Sequence, residues 1–258
     1  MSTCKTGGGG QCQTYDTNTG RYGSDEERHF PLTRFSDVQP PYIPEYRGDV
    51  FRSPQKVVEW VMFFHNVLSL PGVTVEEIQA YTDIFAAEGG MASHPGTGAF
   101  AGILQSTLDD LIKRGFLPGI PEGTRNTDLT VAEVVQVYRA YFDDVFHTIG
   151  GHDALTRMGS DEFARAAADT MLRHGRGAGA ALIQTAINTM RSGAITVDTR
   201  MGSGTLTEIQ RINANPTQQK TFRNALMVER NALVFGRRSD GTARSGKESD
   251  RFRYFEFK

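Results

Sequence analysis

Residues 74–90 read TVEEIQAYTDIFAAEGG, and this stretch predicts one helix with defined ends. Thr74 followed by Glu77 is the pattern of a capping box, in which two side chains satisfy backbone N–H groups of the first turn. The apolar positions recur close to the helical period and are Val75, Ile78, Tyr81, Ile84 and Phe85. Gly89 and Gly90 end the helix, because glycine adopts the left-handed cap conformation without steric cost. We therefore expect a rigid helix that ends at Glu88.

Glu88 is the candidate catalytic residue of this stretch. A carboxyl group half-buried against Phe85 and Met91 would have a raised pKa, because burial disfavours the charged form. A raised pKa suits a general acid that protonates a glycosidic bond. The same residues are also typical of a helix that simply ends in glutamate before a loop, and the tripeptide Glu-Gly-Gly alone favours that interpretation.

The composition is that of an ordinary globular protein. The chain has 258 residues, 38% of them hydrophobic, and a formal net charge of -2, so it can bury a substantial core. Because the sequence is not basic, we expect no nucleic acid partner. No apolar run approaches the roughly 20 residues that cross a membrane, and residues 1–23 lack the apolar core of a signal peptide. The sequence thus predicts no membrane span, and synthesis in the cytoplasm without a signal peptide.

The chain is predicted to be mainly α and to consist of three segments. Residues 1–52 form an irregular, polar N-terminal extension, residues 53–236 form a helical domain, and residues 237–258 form a charged C-terminal tail. Helix signals in the middle segment place helices at 54–68, 74–88, 105–113, 131–142, 161–174, 178–190 and 216–235. Residues 94–104 are typical of a loop or a short hairpin.

A series of short motifs follows in a fixed order along the helical segment. The motifs are Glu88-Gly89-Gly90, Gly96 to Ile103 with Thr107-Leu108, Tyr138 to Asp143, Asp169 to Gly175, Leu182 to Ala186 and Asp198 to Leu206. Their order and spacing over roughly residues 75 to 236 resemble the N-acetylmuramidases of glycoside hydrolase family 108. The resemblance implies a lysozyme-like catalytic domain that cleaves the glycan of peptidoglycan after N-acetylmuramic acid. It assigns the role of general acid to Glu88, and we expect no cofactor and no metal ion.

The sequence departs from the family pattern after Glu88. Family members usually carry an aspartate a few residues later, but no carboxylate occurs between Glu88 and Asp109. The threonine of the family turn corresponds to Ala99, or to Thr97 if the turn is shifted. Arg173 replaces an asparagine that usually precedes the His-Gly pair. These differences leave the second catalytic group undefined.

Three alternatives follow from the missing aspartate. Hydrolysis with inversion needs a second carboxylate to activate water, and a remote residue such as Asp143 or Asp169 could serve. Alternatively, Glu88 acts alone by lytic transglycosylase chemistry, in which it donates a proton and then assists attack by the 6-hydroxyl of the sugar. In the third alternative the protein is catalytically inactive and binds peptidoglycan.

Further candidates for substrate binding lie on a loop and on one helix. His94 and Thr97 lie in the glycine-rich segment after Glu88, close to the expected scissile bond. Tyr138 and Tyr141 are three residues apart on a predicted helix. Such tyrosines either stack on sugar rings or belong to the core with a polar tip.

Asp169 is the last substrate-binding candidate. It lies in an alanine-rich helix that is expected to be buried. An unpaired carboxylate is costly there, so we expect a partner such as Arg139 or Arg173. A structural role is therefore the competing interpretation of Asp169.

The route to the substrate is predicted by analogy alone. A muramidase without a signal peptide is usually delivered by another machine, either a phage lysis system with a holin or an interbacterial secretion system such as type VI. The polar, glycine-rich leader favours the secretion system. We therefore expect an antibacterial effector that acts on peptidoglycan glycan strands in the periplasm of a target bacterium. A component of the secretion apparatus and an immunity protein are the further partners that this route implies.

Overall fold

The computed structural model describes residues 54–159 and 161–235. These residues belong to the second of two units into which the chain divides, Pro44–Lys258. In the described part of the chain there are eight α-helices and no strand, which confirms the predicted mainly α class. The predictions for residues 1–52 and 237–258 lie outside the described residues.

The helices largely follow the predicted pattern. They are α1 (Pro54–Leu68), α2 (Val75–Ala87), α3 (Gln105–Lys113), α4 (Val131–Val145), α5 (Ala154–Arg157), α6 (Asp161–Met190), α7 (Ser203–Asn213) and α8 (Pro216–Phe235). Single 3-10 turns lie at Asn126–Asp128, His147–Ile149 and Gly151–Asp153. The sequence does not predict α7, because this helix starts after Gly202 and includes Gly204 in its first turn, where glycine disfavours helix. None of the described helices is both long and apolar enough to span a bilayer.

The capping box at the start of α2 is present and anchors this helix in the core. The Glu77 N–H donates to Oγ1 of Thr74 at 3.3 Å, and the Thr74 N–H donates to Oε2 of Glu77 at 3.1 Å. Glu77 is fully buried, and the hydroxyl of Tyr81 donates to its Oε1 at 3.0 Å. Nε of Arg139 on α4 lies 3.7 Å from the same oxygen. A buried carboxylate with these partners ties the first turn of α2 to α4.

Aromatic rings fix the other end of α2. Phe85 stacks on Phe63 of α1 with ring centroids 3.9 Å apart and planes within 9° of parallel. Trp60 packs beside Phe85 at 5.8 Å, and Tyr138 of α4 meets Phe63 edge-on at 6.1 Å. Burial of each such ring contributes on the order of 1.5–3 kcal/mol. Because Phe85 lies three residues before Glu88, this stack holds the end of α2 in place.

Helix α6 turns sharply at Gly175. The dihedral angles of Gly175 are φ 76° and ψ 169°, which lie outside the helical region. The predicted break between two helices is therefore present, although helical hydrogen bonding resumes at once. A Cβ atom on Gly179 would lie 2.9 Å from Cα of Met171, whereas residues eight apart in a straight helix are about 12 Å apart. The chain thus folds back on itself, and residues 172–176 form the apex of the turn.

A buried ion pair joins α8 to α6. Asp169 and Arg230 are both 0% exposed, and Nη1 of Arg230 donates to Oδ2 of Asp169 at 2.8 Å. The same Nη1 donates to Oγ1 of Thr170 at 3.1 Å. The expected pairing of Asp169 with an arginine is confirmed, and the structure shows Arg230 as a partner that the sequence analysis does not name. Arg230 lies 61 residues along the chain, so no local pattern indicates it.

Candidate functional site

Glu88 occupies the C-cap of α2 and is half-buried, as the sequence predicts. Its N–H donates to the carbonyl of Ile84 at 2.9 Å, so its backbone still belongs to the last helical turn. Gly89 and Gly90 then adopt φ angles of 81° and 74°. These left-handed conformations confirm the predicted glycine termination of the helix.

Helix α1 packs against one side of the turn formed by Gly89 and Gly90. Nζ of Lys56 donates to the carbonyl of Gly89 at 3.3 Å and to Oε2 of Glu59 at 2.8 Å. A Cβ atom on Gly90 would lie 3.4 Å from the same carboxylate oxygen of Glu59 and 3.7 Å from Phe85. The turn after Glu88 is therefore packed on one side by α1, which restricts the positions that the Glu88 backbone can take.

Gly102 lies against the side chain of Glu88. A Cβ atom added to Gly102 would lie 2.6 Å from Cγ, 3.0 Å from Cδ and 3.4 Å from Oε2 of Glu88. The φ angle of Gly102 is +75°, a conformation that other L-residues rarely adopt. Glycine at position 102 thus allows the Glu88 side chain to lie directly on the backbone of the following segment.

Residues 91–104 form a compact hairpin-like turn rather than an open loop. Isolated antiparallel bridges join Ser93 to Phe100 and Phe100 to Ile103. The Ala101 N–H donates to the carbonyl of Ala92 at 2.9 Å. This turn brings Gly102 back to the end of α2, where Glu88 lies.

His94 and Thr97 lie at the exposed tip of this turn. Nδ1 of His94 accepts hydrogen bonds from the N–H groups of Gly96 and Thr97, both at 3.2 Å. Oγ1 of Thr97 accepts from the N–H of Ala99 at 3.3 Å. These contacts give both side chains a role in shaping the turn. Since Nδ1 is an acceptor, the neutral imidazole of His94 carries its proton on Nε2.

Tyr138 and Tyr141 are buried core residues that also form part of the wall of the adjoining cleft. Tyr138 is 0% exposed and donates its hydroxyl to the carbonyl of Ala101 at 2.7 Å. Tyr141 is 9% exposed and donates to the carbonyl of Met171 at 2.6 Å. Burial raises the pKa of Tyr141. The structure thus favours the core interpretation of these tyrosines, which hold the turn and α6 against α4.

A cleft of about 530 Å³ lies beside Gly102. It is bounded by residues 102–104, the outer face of α3, one face of α4 and the apex of α6. Its polar and charged lining residues are Ser106, Thr107, Asp110, Arg114, Tyr138, Tyr141, Asp144, Arg173, His174 and Arg176. Gly102 lines the cleft and also lies against the Glu88 side chain, so one residue separates the candidate acid from the lining of this space.

An aspartate flanked by two arginines lies within this cleft. Asp144 of α4 forms ion pairs with Arg114, the C-cap residue of α3, and with Arg176, which follows the break in α6. Burial alone would raise the pKa of Asp144, but hydrogen bonds from Arg114 and Arg176 outweigh it and lower the pKa. The sequence analysis missed these three residues, because only the tertiary placement of three helices brings them together.

The two remote carboxylates considered as second catalytic groups have other partners. Oδ1 of Asp143 accepts from the N–H of His152 at 3.0 Å and lies 2.5 Å from its Nδ1. Nε2 of His152 lies 2.6 Å from Nη2 of Arg139. Arginine can only donate, so Nδ1 of His152 carries the proton that faces Asp143. Asp169 is fully buried with Arg230. The carboxylates that line the described cleft are instead Asp110 and Asp144.

Among residues 54–159 and 161–235, no group of three or more histidine, cysteine or acidic side chains is arranged to hold a metal ion. No family model, curated protein or solved structure matches this chain. The resemblance to glycoside hydrolase family 108 stays a prediction from the sequence motifs, which none of these comparisons tests.

Proposed function

We propose that this protein cleaves the glycan strands of peptidoglycan as an N-acetylmuramidase, with Glu88 as the general acid. The observation that carries the proposal is the position of Glu88. It is half-buried at a rigid helix end and lies on the backbone of Gly102, which lines a cleft of about 530 Å³. A carboxyl group at the edge of a cleft, fixed by packing, is what proton donation to a bound glycan requires.

In the proposed reaction, Glu88 donates its proton to the glycosidic oxygen. The bond between that oxygen and C1 of N-acetylmuramic acid breaks, and its electron pair goes to the oxygen. A water molecule then forms the new bond to C1 and loses a proton to a base. The product of this route has a reducing end.

The lytic transglycosylase route is the second candidate, because Asp110 and Asp144, the carboxylates that line the cleft, are paired with arginines, and Asp143 and Asp169 lie outside it. Asp169 is fully buried and Asp143 is bound by His152, and neither lines the cleft. On this route the 6-hydroxyl oxygen of the sugar attacks C1 and returns its proton to the Glu88 carboxylate. The acid is thereby regenerated without a second carboxylate, and the product carries a 1,6-anhydro ring.

We further propose, from the polar and glycine-rich composition of residues 1–23, that the protein is an antibacterial effector delivered by a secretion system such as type VI. Its site of action would be the periplasm of a target bacterium. Its further partners would be a component of the secretion apparatus and an immunity protein that blocks the cleft. Expression directed to the periplasm of a test bacterium, with and without Glu88→Gln, tests this part. Equal toxicity of both forms would contradict it.

Mass spectrometry of muropeptides released from purified sacculi tests the catalytic proposal. The wild type is compared with Glu88→Gln and with Glu122→Gln, which removes the charge of an exposed glutamate that does not line the cleft. We expect release by the wild type and by Glu122→Gln only. Reducing ends would identify the muramidase, and anhydro ends the transglycosylase. Retained binding to sacculi without any release would refute both enzymes and leave a peptidoglycan-binding protein.

A further inference from the structure

The Arg114–Asp144–Arg176 cluster presents guanidinium groups to the cleft from two elements. Arg114 ends α3 and Arg176 follows the Gly175 break in α6. Both line the cleft, and both are fixed by the same carboxylate of Asp144. Arg114 is further held over the ring of Phe116, with its guanidinium carbon 5.0 Å from the ring centroid. The two arginines are therefore oriented before any ligand arrives.

Asp144 is more buried than the two arginines that it holds, whereas Asp110, which also pairs with Arg114, is exposed and offsets part of its charge. The side chain of Asp144 is 8% exposed, whereas those of Arg114 and Arg176 are 37% and 42% exposed. Each guanidinium has five N–H donors in a fixed fork, more than the contacts to Asp144 and Asp110 consume. Counting histidine as neutral, the lining residues Arg114, Arg173 and Arg176 outweigh Asp110 and Asp144 by one charge. Guanidinium groups held in this way are suited to bidentate binding of a carboxylate.

The cluster is displaced along α4 from the turn that lies against the candidate acid. The turn that carries Gly102 contacts α4 at Tyr138, whose hydroxyl donates to Ala101. Asp144 lies six residues further along α4, which corresponds to about 9 Å. An anionic group bound by the arginines would thus be displaced along the cleft from the bond that Glu88 protonates.

We infer that Arg114 and Arg176 bind a carboxylate of the peptidoglycan strand, and that the cleft therefore selects acidic glycans over neutral ones. The inference rests on the proposed function for the identity of the ligand. In peptidoglycan the carboxylate can come from the peptide attached to N-acetylmuramic acid, or from its lactyl group where the peptide has been removed. Chitin has the same backbone linkage without any carboxylate. Charge-assisted hydrogen bonds to an oriented arginine pair discriminate between these ligands.

Binding to the full-length Glu88→Gln protein by calorimetry tests the inference without turnover. The three ligands are soluble peptide-bearing glycan fragments, amidase-treated strands that keep free lactyl carboxylates, and chitin oligosaccharides of equal length. We expect the acidic strands to bind at least about tenfold more tightly than chitin. Because this comparison needs no arginine variant, equal affinity for all three would overturn the inference outright.

Arginine variants in the same background locate the site. We expect Arg176→Gln and Arg114→Gln to weaken binding of acidic strands at least about tenfold and to leave chitin binding unchanged. Arg176→Lys keeps the charge but loses the fork, so its loss should be smaller. Arg125→Gln is the matched control, because Arg125 is 74% exposed, pairs with Asp128 and does not line the cleft.

The outcomes separate the inference from the proposed function. Loss confined to peptide-bearing fragments identifies a peptide carboxylate as the ligand, loss confined to amidase-treated strands identifies the free lactyl carboxylate, and loss for both shows that the arginines bind either carboxylate. Unchanged binding by folded Arg176→Gln, checked by thermal unfolding, would contradict the carboxylate site. Absence of product from the wild type, with the preference for acidic strands intact, would refute the enzyme and retain the site.

Discussion

Replacement of Gly102 by alanine tests the link between the backbone turn and Glu88. The new Cβ would lie 2.6 Å from Cγ of Glu88, whereas ordinary contacts begin at 3.4 Å. The glutamate or the turn must therefore move by about 0.8 Å, the difference between these distances. A misplacement of about 1 Å costs on the order of 100-fold in rate when a group must be held in a reactive geometry. We expect Gly102→Ala to reduce turnover of sacculi by about that factor.

The backbone contribution to this effect can be removed with a matched control. Gly123 has a φ of +80°, close to the +75° of Gly102, but its added Cβ would have no neighbour within 4 Å. Alanine in the left-handed region costs about 1–2 kcal/mol in stability at either position. Gly123→Ala should therefore show this loss in chemical denaturation and keep wild-type turnover.

The assay is the initial rate of muropeptide release at saturating sacculi, measured in parallel with denaturation curves. The loss of rate in Gly123→Ala measures the effect of alanine in the left-handed conformation. Any additional loss of rate in Gly102→Ala is the effect of displacing Glu88. If both variants release muropeptides at the same rate, the side chain of Glu88 is not held by Gly102 in the reactive state, and the proposed role of this contact is wrong.

Three further predictions concern the supporting structure. Arg230→Ala should lower the free energy of unfolding by about 3–5 kcal/mol, because it removes the guanidinium that pairs with the fully buried Asp169; denaturant titration checks this, and a loss below about 1 kcal/mol would contradict it. Tyr138→Phe should cost about 1 kcal/mol in stability and also reduce muropeptide release, because the hydroxyl that holds the Ala101 carbonyl is lost; a variant with unchanged rate would show that the turn needs no such support. The folded-state pKa of Asp144 is lowered. The contribution of the charged Asp144 to the free energy of unfolding is therefore fully present above the ordinary carboxyl pKa of about 4, and it is lost as pH falls through the pKa of the folded state. Asp144→Asn should therefore flatten the acid side of the stability profile below about pH 4, and an unchanged slope there would be evidence against this pairing.

The sequence predicts those features that local chemistry determines. Helix α2 was expected between Thr74 and Glu88, and these two residues are its caps. A capping box and a glycine termination each depend on residues within a few positions of one another, so they can be recognised without tertiary information. The same holds for the half-buried position of Glu88 at the end of the apolar face.

Features that depend on distant residues could not be predicted. Helix α7 has apolar residues at helical spacing, namely Leu206, Ile209 and Ile212. Its first turn contains Gly204, which disfavours helix, so the sequence does not predict where this helix begins. The cluster around Asp144 requires the end of α3 and the break in α6 to meet on α4. Spacing along α4 predicted that Tyr138 and Tyr141 share a face, but not whether that face is open to a ligand or buried. Burial is decided by which helix packs against it.

The pairing of Asp169 with Arg230 has a consequence for the order of events during synthesis. The two residues are 61 positions apart, and ribosomes add roughly 5–20 residues per second. Asp169 therefore emerges about 3–12 s before its counter-ion is made. During that interval the nascent chain lacks the Arg230 guanidinium that pairs with this carboxylate in the folded protein, and burial of Asp169 is less favourable without it. Completion of the core is consequently a late event, set by translation of α8 rather than by the intrinsic speed of helix packing.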